Sequence, residues 1–259
     1  MGDLADLRSL LRAQCSEGWA GAQAFGLEEQ MGMLRSLVSG IVLHRRSESA
    51  LLVGAAGTGK SFALSLVLEE AREFSKVPIK RVDINGLLHN DPRVACEEIL
   101  FQLDGAEHDF SISSFDEAGD QVLEQLKGRK EVVILILDNL DLFASLQGGK
   151  QSLLYFLFDL QHHNEINIGI FGTSTRLDCL SLMEKRVISR FSQIQVRFYA
   201  PEDLRQFLLF IQHRLLIAES GSEEDFSPQL QSLIDSHNDN VTVSSKCHSN
   251  PHNVSIESI

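Results

Sequence analysis

Positive charge is what this sequence has too little of. Its 259 residues carry 23 Lys plus Arg against 36 Asp plus Glu, a formal net charge of −13. A domain held to nucleic acid mainly by its own bulk charge presents a basic footprint to the phosphates. That class is excluded, and any role on DNA must be local or shared with partners. Long apolar runs are missing as well. No stretch approaches the ~18 uninterrupted apolar residues of a membrane-spanning helix. The start, MGDLADLRSLLRAQ, mixes acidic with apolar residues where a signal peptide has a basic segment and an apolar block. The four cysteines, Cys15, Cys96, Cys179 and Cys247, lie far apart without a C-x-x-C pair. They read as free thiols in a reducing, intracellular compartment, neither a disulfide frame nor a zinc site. No internal repeat is visible. What is present, 43% hydrophobic and 23% charged residues, is the balance of a globular chain long enough to bury a core without metals or disulfides.

Between residues 50 and 200 two kinds of segment alternate. Short apolar runs at 50–53, 81–84, 132–137, 166–171 and 194–199 read as buried strands. The segments between them have helical spacing: over 60–74, Phe62, Leu64, Leu66, Val67 and Phe74 supply an apolar face, and Glu69, Glu70, Arg72 and Glu73 a polar one. Asn90-Asp91-Pro92 reads as a cap followed by proline at the first helical position, opening a helix toward Leu103. This alternation predicts an α/β fold, a parallel sheet covered by helices on both faces, with 132–137 and 166–171 at its centre. Earlier segments at 3–15 and 26–46 read as helices, and Pro201 opens another. Beyond it the composition changes: residues 221–259 hold one basic residue, Lys246, and six acidic ones, with nine serines. Apart from one helix near 228–234, that tail is expected to be disordered.

The strongest local signal is Gly54-Ala55-Ala56-Gly57-Thr58-Gly59-Lys60-Ser61, a complete G-x-x-x-x-G-K-[ST] phosphate loop placed after a strand and opening a helix. Backbone N–H groups must wrap a polyphosphate, so the loop needs residues without bulk and with access to positive φ, which Gly54, Gly57 and Gly59 supply. The next helix aims its positive end at the phosphates. Lys60 puts a point charge near the β and γ phosphates, and the Ser61 hydroxyl offers an oxygen to Mg²⁺. The acidic half of such a site belongs at the end of a neighbouring strand, and Val132–Leu137 followed by Asp138 supplies it. ATP and Mg²⁺ are the expected ligands. In the large ATPase class with this layout a glutamate usually follows that aspartate and polarises the attacking water. Here the residue is Asn139, whose amide can orient water but cannot take its proton. Asp141, two residues further on, reads as a helix cap. The expectation is nucleotide binding with little or no intrinsic hydrolysis.

Further segments follow in a specific order: Asn85-Gly86-Leu87-Leu88-His89, Leu137-Asp138-Asn139-Leu140-Asp141-Leu142-Phe143-Ala144, Leu153-Leu154-Tyr155, Thr175-Arg176-Leu177-Asp178, and Glu184-Lys185-Arg186-Val187-Ile188-Ser189-Arg190-Phe191-Ser192. Over residues 5–218 the pattern resembles the subunit 4 family of the origin recognition complex, AAA+ proteins of eukaryotic replication initiation. The resemblance implies an AAA+ domain over 1–200, its five-stranded parallel sheet having the phosphate-loop strand at the centre. A helical lid starts over 201–220, and 221–259 remains as tail. It also implies ATP at the interface between adjacent subunits, binding to origin DNA through the complex, a nuclear location and helicase loading. Thr173-Ser174-Thr175 matches the polar sensor position, with Ser174 best aligned. Arg190 matches the arginine finger that reaches a neighbour's ATP site, subunit 1 in the family, and Arg186, four residues earlier, is expected on the same helical face.

The sequence departs from the family at Asn139. It also ends at Ile259, so a complete lid and the winged-helix domain that follows it are expected to be absent, and residues 241–250 match nothing in the family pattern. The rival reading is an autonomous P-loop ATPase or small-molecule kinase. Such an enzyme needs an acceptor pocket and closing lid arginines, for which the sequence offers no candidates. Cys247, His248 and His252 lack the fourth ligand and the frame of a metal site. Tyr155, Phe156 and Phe158 read as core or subunit contact, and His162-His163 as surface.

Overall fold

Strands that are apolar at nearly every position need cover on both faces, and the computed structural model provides it. It describes residues 9, 12, 26–89, 91–104, 113–144, 150–201, 205–208, 232 and 234–242. The chain divides into two units, Glu29–Ala200 and Met1–Glu28 with Pro201–Ile259. Of the expected helix at 3–15 only residues 9 and 12 are described, and of the lid at 201–220 only 201 and 205–208, the last four helical. In the tail, 232 and 234–242 are helical, so helix continues past the 228–234 where it was expected into a stretch expected to be disordered; the rest of 221–259 lies outside the described residues.

The elements in order are α1 (Glu28–His44), β1 (Glu48–Gly54), α2 (Lys60–Phe74), β2 (Ile79–Asn85), α3 (Pro92–Asp104), α4 (Phe115–Lys127), β3 (Val132–Asp138), α5 (Leu140–Phe143), α6 (Lys150–Asp159), β4 (Ile168–Ser174), α7 (Lys185–Ile188) and β5 (Ile194–Phe198). The five strands form one parallel sheet in the order β2-β3-β4-β1-β5. Side chains of β3 alternate between two cores. Val133, Leu135 and Leu137 join Ile99 of α3, Val122 of α4 and Leu157 of α6 in one cluster. On the opposite face Ile134 meets Ile41 of α1 across Gly169, where an added Cβ would lie 2.6 Å from the Ile41 Cδ1 and 2.9 Å from the Ile134 Cδ1. Among the described residues no helix is long and apolar enough to cross a membrane.

The phosphate-loop strand is not at the centre, as the family resemblance implied. β1 pairs with β4 on one side and β5 on the other, and β4 is the middle strand, buried at all seven positions. β4 also runs later than its apolar residues suggested, from Ile168 to Ser174. Pairing with β3 runs from Val133↔Ile168 to Leu137↔Gly172, and pairing with β1 carries the strand on through Thr173 and Ser174. A rule that ends a strand at its first polar residues fails where those hydroxyls have internal partners.

Two helix starts are capped by side chains, the first where Asp91-Pro92 signalled it. The Asp91 carboxylate accepts from the Arg93 N–H at 2.8 Å ahead of Pro92, and the Ser114 hydroxyl accepts from the Glu117 N–H at 3.2 Å. Each such cap contributes about 1 kcal/mol. Arg35 of α1 makes a fork of two 2.7 Å hydrogen bonds to Glu70 of α2. Both side chains are exposed, so the pair contributes no more than about 1 kcal/mol. The fork holds the Glu70 carboxyl below its usual range. Its contribution is present above the unfolded value and is lost as pH falls through the lowered one. Cys96 and Cys179 are free and buried. Burial pushes the Cys96 thiol up to about 12 and the Cys179 thiol up to about 11.

Two outcomes test this packing. Gly172→Ala places a Cβ 2.5 Å from the Cδ2 of Leu140, itself fully buried. Urea unfolding should show a loss of about 1–3 kcal/mol, the usual cost of overpacking. Alkylation of the native chain at neutral pH should leave Cys96 and Cys179 unmodified by mass spectrometry, since neither is a thiolate there.

Candidate functional site

Parallel strands deliver their C-terminal ends to one edge of the sheet, and the residues singled out from the sequence meet there. β1 ends at Gly54, and residues 55–59 lead into α2, which starts at Lys60. Gly57 (φ +77°) and Gly59 (φ +90°) take the left-handed backbone that the loop requires. Gly54 does not. Its constraint is close approach: a Cβ there would fall 2.3 Å from the Phe198 carbonyl oxygen of β5. The loop is braced internally by the Thr58 hydroxyl, which donates to the Ala55 carbonyl at 2.8 Å. Gly59 occupies the cap position of α2 and offers no side-chain acceptor to its first N–H groups, the groups an anion takes at a helix start. Ser61 follows on the exposed side of the first turn.

Lys60 is 9% exposed, and its Nζ donates to the carbonyls of Gly54 and Ala55 at 2.8 Å each. Burial lowers its pKa, and the negative charge of Asp138 acts in the opposite sense. The buried ammonium is thus held over the loop by neutral acceptors, which a phosphate would replace with full charge.

Asp138 ends β3, directly in register with Asn85 at the end of β2. Its carboxylate is oriented by three neutral donors. The Thr173 hydroxyl donates to Oδ1, and the Asn85 Nδ2 donates to Oδ2 at 3.0 Å. The Asn139 Nδ2 adds a longer contact to Oδ2 at 3.4 Å. All three donors are neutral, so none is a counter-charge that a cation would have to displace. Among the described residues no group of three or more His, Cys, Asp or Glu could hold a metal by itself. The Ser61 hydroxyl and the Asp138 carboxylate are hard oxygen donors, the type a small divalent cation takes.

Asn139 takes the left-handed conformation, φ +55°. Asparagine tolerates that region better than glutamate does, so this position suits the residue found there on backbone grounds alone. Asp141 does not cap α5 through its side chain but accepts from the Ser174 hydroxyl at 2.9 Å. Of the β4 residues matched to a sensor, Ser174 is 1% exposed and engaged with Asp141, while Thr173 is the one bonded to Asp138.

Away from the loop, α7 covers only Lys185–Ile188, and Arg190 sits in the turn after it. Arg186 and Arg190 nevertheless share a face, their guanidinium carbons 5.7 and 5.5 Å from the centre of the Tyr155 ring. Phe158 is core, Phe156 packs edge-on against Phe115, and Tyr155 is half-buried beneath the two arginines. His162 is exposed, and His163 lies 3.9 Å from Asp159.

A family model described as an AAA domain matches residues 44–180. The chain belongs to the AAA domain family. Origin recognition complex subunit 4 of Xenopus laevis is 34% identical over 224 residues, which cover 82% of this chain and 51% of that relative. The chain therefore spans about half the length of the curated relatives it matches, and the resemblance to subunit 4 is borne out over that half. Among solved structures, the Aeropyrum pernix ORC1 protein in complex with DNA superposes with a TM-score of 0.66 at 21% identity, over 79% of this chain and 52% of that one. The Aeropyrum pernix ORC2 protein in ADPNP-ADP complexes gives 0.63 at 18%, over 78% and 55%. At these identities the two structures establish the fold.

Three features of this candidate site were not read from the sequence. Asn85 appeared only inside a family motif, though a polar residue ending an apolar strand beside an Asn-Gly pair was a usable signal. Thr173 was passed over for its neighbour. The left-handed backbone at Asn139 had no local signature beyond the residue type.

Lys60→Met should separate the roles of the loop. In a thermal-shift titration the wild-type AAA domain should gain about 2.7 kcal/mol at a nucleotide concentration 100 times Kd, and the variant should gain none. The lowered Lys60 pKa also has a sign. In the window between its folded and ordinary values the unfolded chain binds more protons, so raising pH through that window should stabilise the nucleotide-free fold of the wild type and not that of Lys60→Met.

Proposed function

We propose that this AAA domain binds ATP with Mg²⁺ at Gly54–Ser61 and Asp138 and works as a subunit of an origin recognition complex in the nucleus. There it takes part in origin binding and helicase loading as a nucleotide-dependent structural member. The observation that carries the reading is the convergence of the phosphate loop, Lys60 and a charged, triply oriented Asp138 at one sheet edge, in a chain one-third identical to subunit 4. The loop amides and the start of α2 bind the phosphates, and Lys60 exchanges its carbonyl partners for them. Ser61 and Asp138 would hold Mg²⁺, which would neutralise phosphate charge.

Hydrolysis at this site is weak or nil. Asn139 cannot accept a proton, and its amide already contacts Asp138 at 3.4 Å and Asn85 at 3.5 Å. Asp141, the nearest other carboxylate in sequence, is occupied by Ser174. The sensor role falls to the end of β4, where Ser174 is the residue the family pattern aligns and Thr173 the one that touches Asp138. Arg190 acts in trans, on the ATP site of the neighbouring subunit, subunit 1 in the family. A guanidinium pairs with a γ-phosphate through two parallel hydrogen bonds, so the nucleotide both joins the subunits and is read by them. DNA binding, for a chain of charge −13, belongs to the assembled complex.

In a complex reconstituted with this chain, Arg190→Glu should abolish ATP turnover at the neighbouring site while ATP binding here is retained by filter or thermal-shift assay. Unchanged turnover would remove the trans role. Asn139→Ala should leave turnover of the complex as it is, and a collapse of the rate would show that this site hydrolyses after all.

A further inference from the structure

We infer that α6 is a cradle for the Arg190 guanidinium, with Tyr155 and Asp159 as positioning residues and Gln151 anchoring the segment that carries it. The inference rests on the trans role given to Arg190 above. Gln151, Tyr155 and Asp159 are spaced by four and so form one stripe along the helix. All three act on the same stretch of chain. Gln151 is 3% exposed. Its amide donates to the carbonyls of Ala144 at 2.7 Å and Leu182 at 3.0 Å, and its oxygen accepts from the Glu184 N–H at 2.7 Å, fixing where α7 begins. The far end is pinned by Phe191, 4% exposed, whose ring lies 5.2 Å from that of Phe158.

Between these anchors the two arginines lie over Tyr155. Arg190 uses both of its terminal nitrogens on the stripe: Nη1 pairs with the Asp159 carboxylate at 2.9 Å, and Nη2 donates to the Tyr155 hydroxyl at 3.3 Å. The Gln161 amide reaches the Arg190 carbonyl at 3.5 Å. The His163 ring lies one turn on, its Nε2 3.9 Å from the Asp159 carboxylate. The Arg190 side chain keeps 37% of its exposure, enough to meet a ligand from outside. An exposed arginine ordinarily samples many rotamers and loses that freedom when it engages a phosphate. Stacking on the ring and pairing at one end remove most of those rotamers beforehand, leaving a guanidinium whose plane and height are set by the fold. Arg186 shares the ring and Arg35 pairs across elements with Glu70, but of these three only Arg190 combines ring, hydroxyl and carboxylate of one helix. Arg72 and Arg176 pair only with a carboxylate two or three residues away on their own segment.

The test has two arms. In NMR spectra of the full chain labelled at arginine, Arg190 Nε–Hε, assigned with Arg190→Lys, should give one resolved, slowly exchanging signal. It should broaden or average in Tyr155→Leu and Asp159→Asn and persist in Tyr155→Phe. In the reconstituted complex, Tyr155→Leu and Asp159→Asn should lower kcat for the neighbour's ATP hydrolysis by about three- to tenfold with KM unchanged. Tyr155→Phe, which keeps the ring, should restore it. Both residues are partly exposed, and equal co-purification with the partner subunits checks that each variant folds and assembles. An unaltered Arg190 signal or unaltered kcat in both variants would overturn the inference. A raised kcat in Asp159→Asn would overturn it too, since that marks the ion pair as a competitor of the phosphate. Loss of order in the variants together with full turnover in Arg190→Glu would instead leave the cradle standing and defeat the trans role.

Discussion

All five strands run in the same direction, and the rest of the molecule follows from that. In a parallel sheet every strand ends at the same edge, so Gly54, Asn85, Asp138 and Ser174 are brought together from four separate stretches of chain. Register finishes the placement: Asn85 lies opposite Asp138, and Val53 opposite Ser174. That register is enforced by burial, because a slip of one residue would turn the Val133, Leu135 and Leu137 set out of its core. The polar edge is precise because the apolar interior permits one alignment.

Within this edge two opposite charges are kept in place by neutral partners. Lys60 rests on two loop carbonyls, and Asp138 accepts from a hydroxyl and two amides. Neither arrangement cancels the charge, and both fix its direction, which is the condition for strong electrostatic binding without reorganisation. Asn139 meets two demands at once. Its backbone is left-handed, a conformation asparagine accepts, and its amide joins the Asp138 network. The absence of a proton acceptor at this position and the backbone requirement therefore coincide in one residue.

The arginine-bearing segment is organised differently. It has one turn of helix, too short to be held by its own hydrogen bonds. Its position comes from outside, through the buried Gln151 amide at one end and the Phe158–Phe191 contact at the other. A short segment locked at both ends by long-range partners is rigid where an isolated turn would fray, so Arg190 can stand at the surface and still have a defined direction.

Much of the site was legible from local pattern alone. The phosphate loop is a contiguous run whose glycines, lysine and hydroxyl act within one turn of chain, so spacing suffices to read it. Asp138 was legible because a fully buried strand cannot tolerate a carboxylate except at its end, and α2 starts and stops where its periodicity says, Lys60 to Phe74. Strand order was legible in part: continuous burial put β3 and β4 inside the sheet as their apolar runs required, but nothing local records which neighbour a buried strand will choose, and β4 took the centre that the family pattern assigned to β1. Nor was the choice of Thr173 over Ser174 as partner of Asp138: adjacent residues in a strand face opposite sides, and only the sheet decides which side holds the carboxylate. Asn85 acts across 53 residues and Gln151 across 33. Contacts at such separations exist only once the chain has closed on itself, so composition and spacing identify the chemical groups, and tertiary packing selects which of them meet.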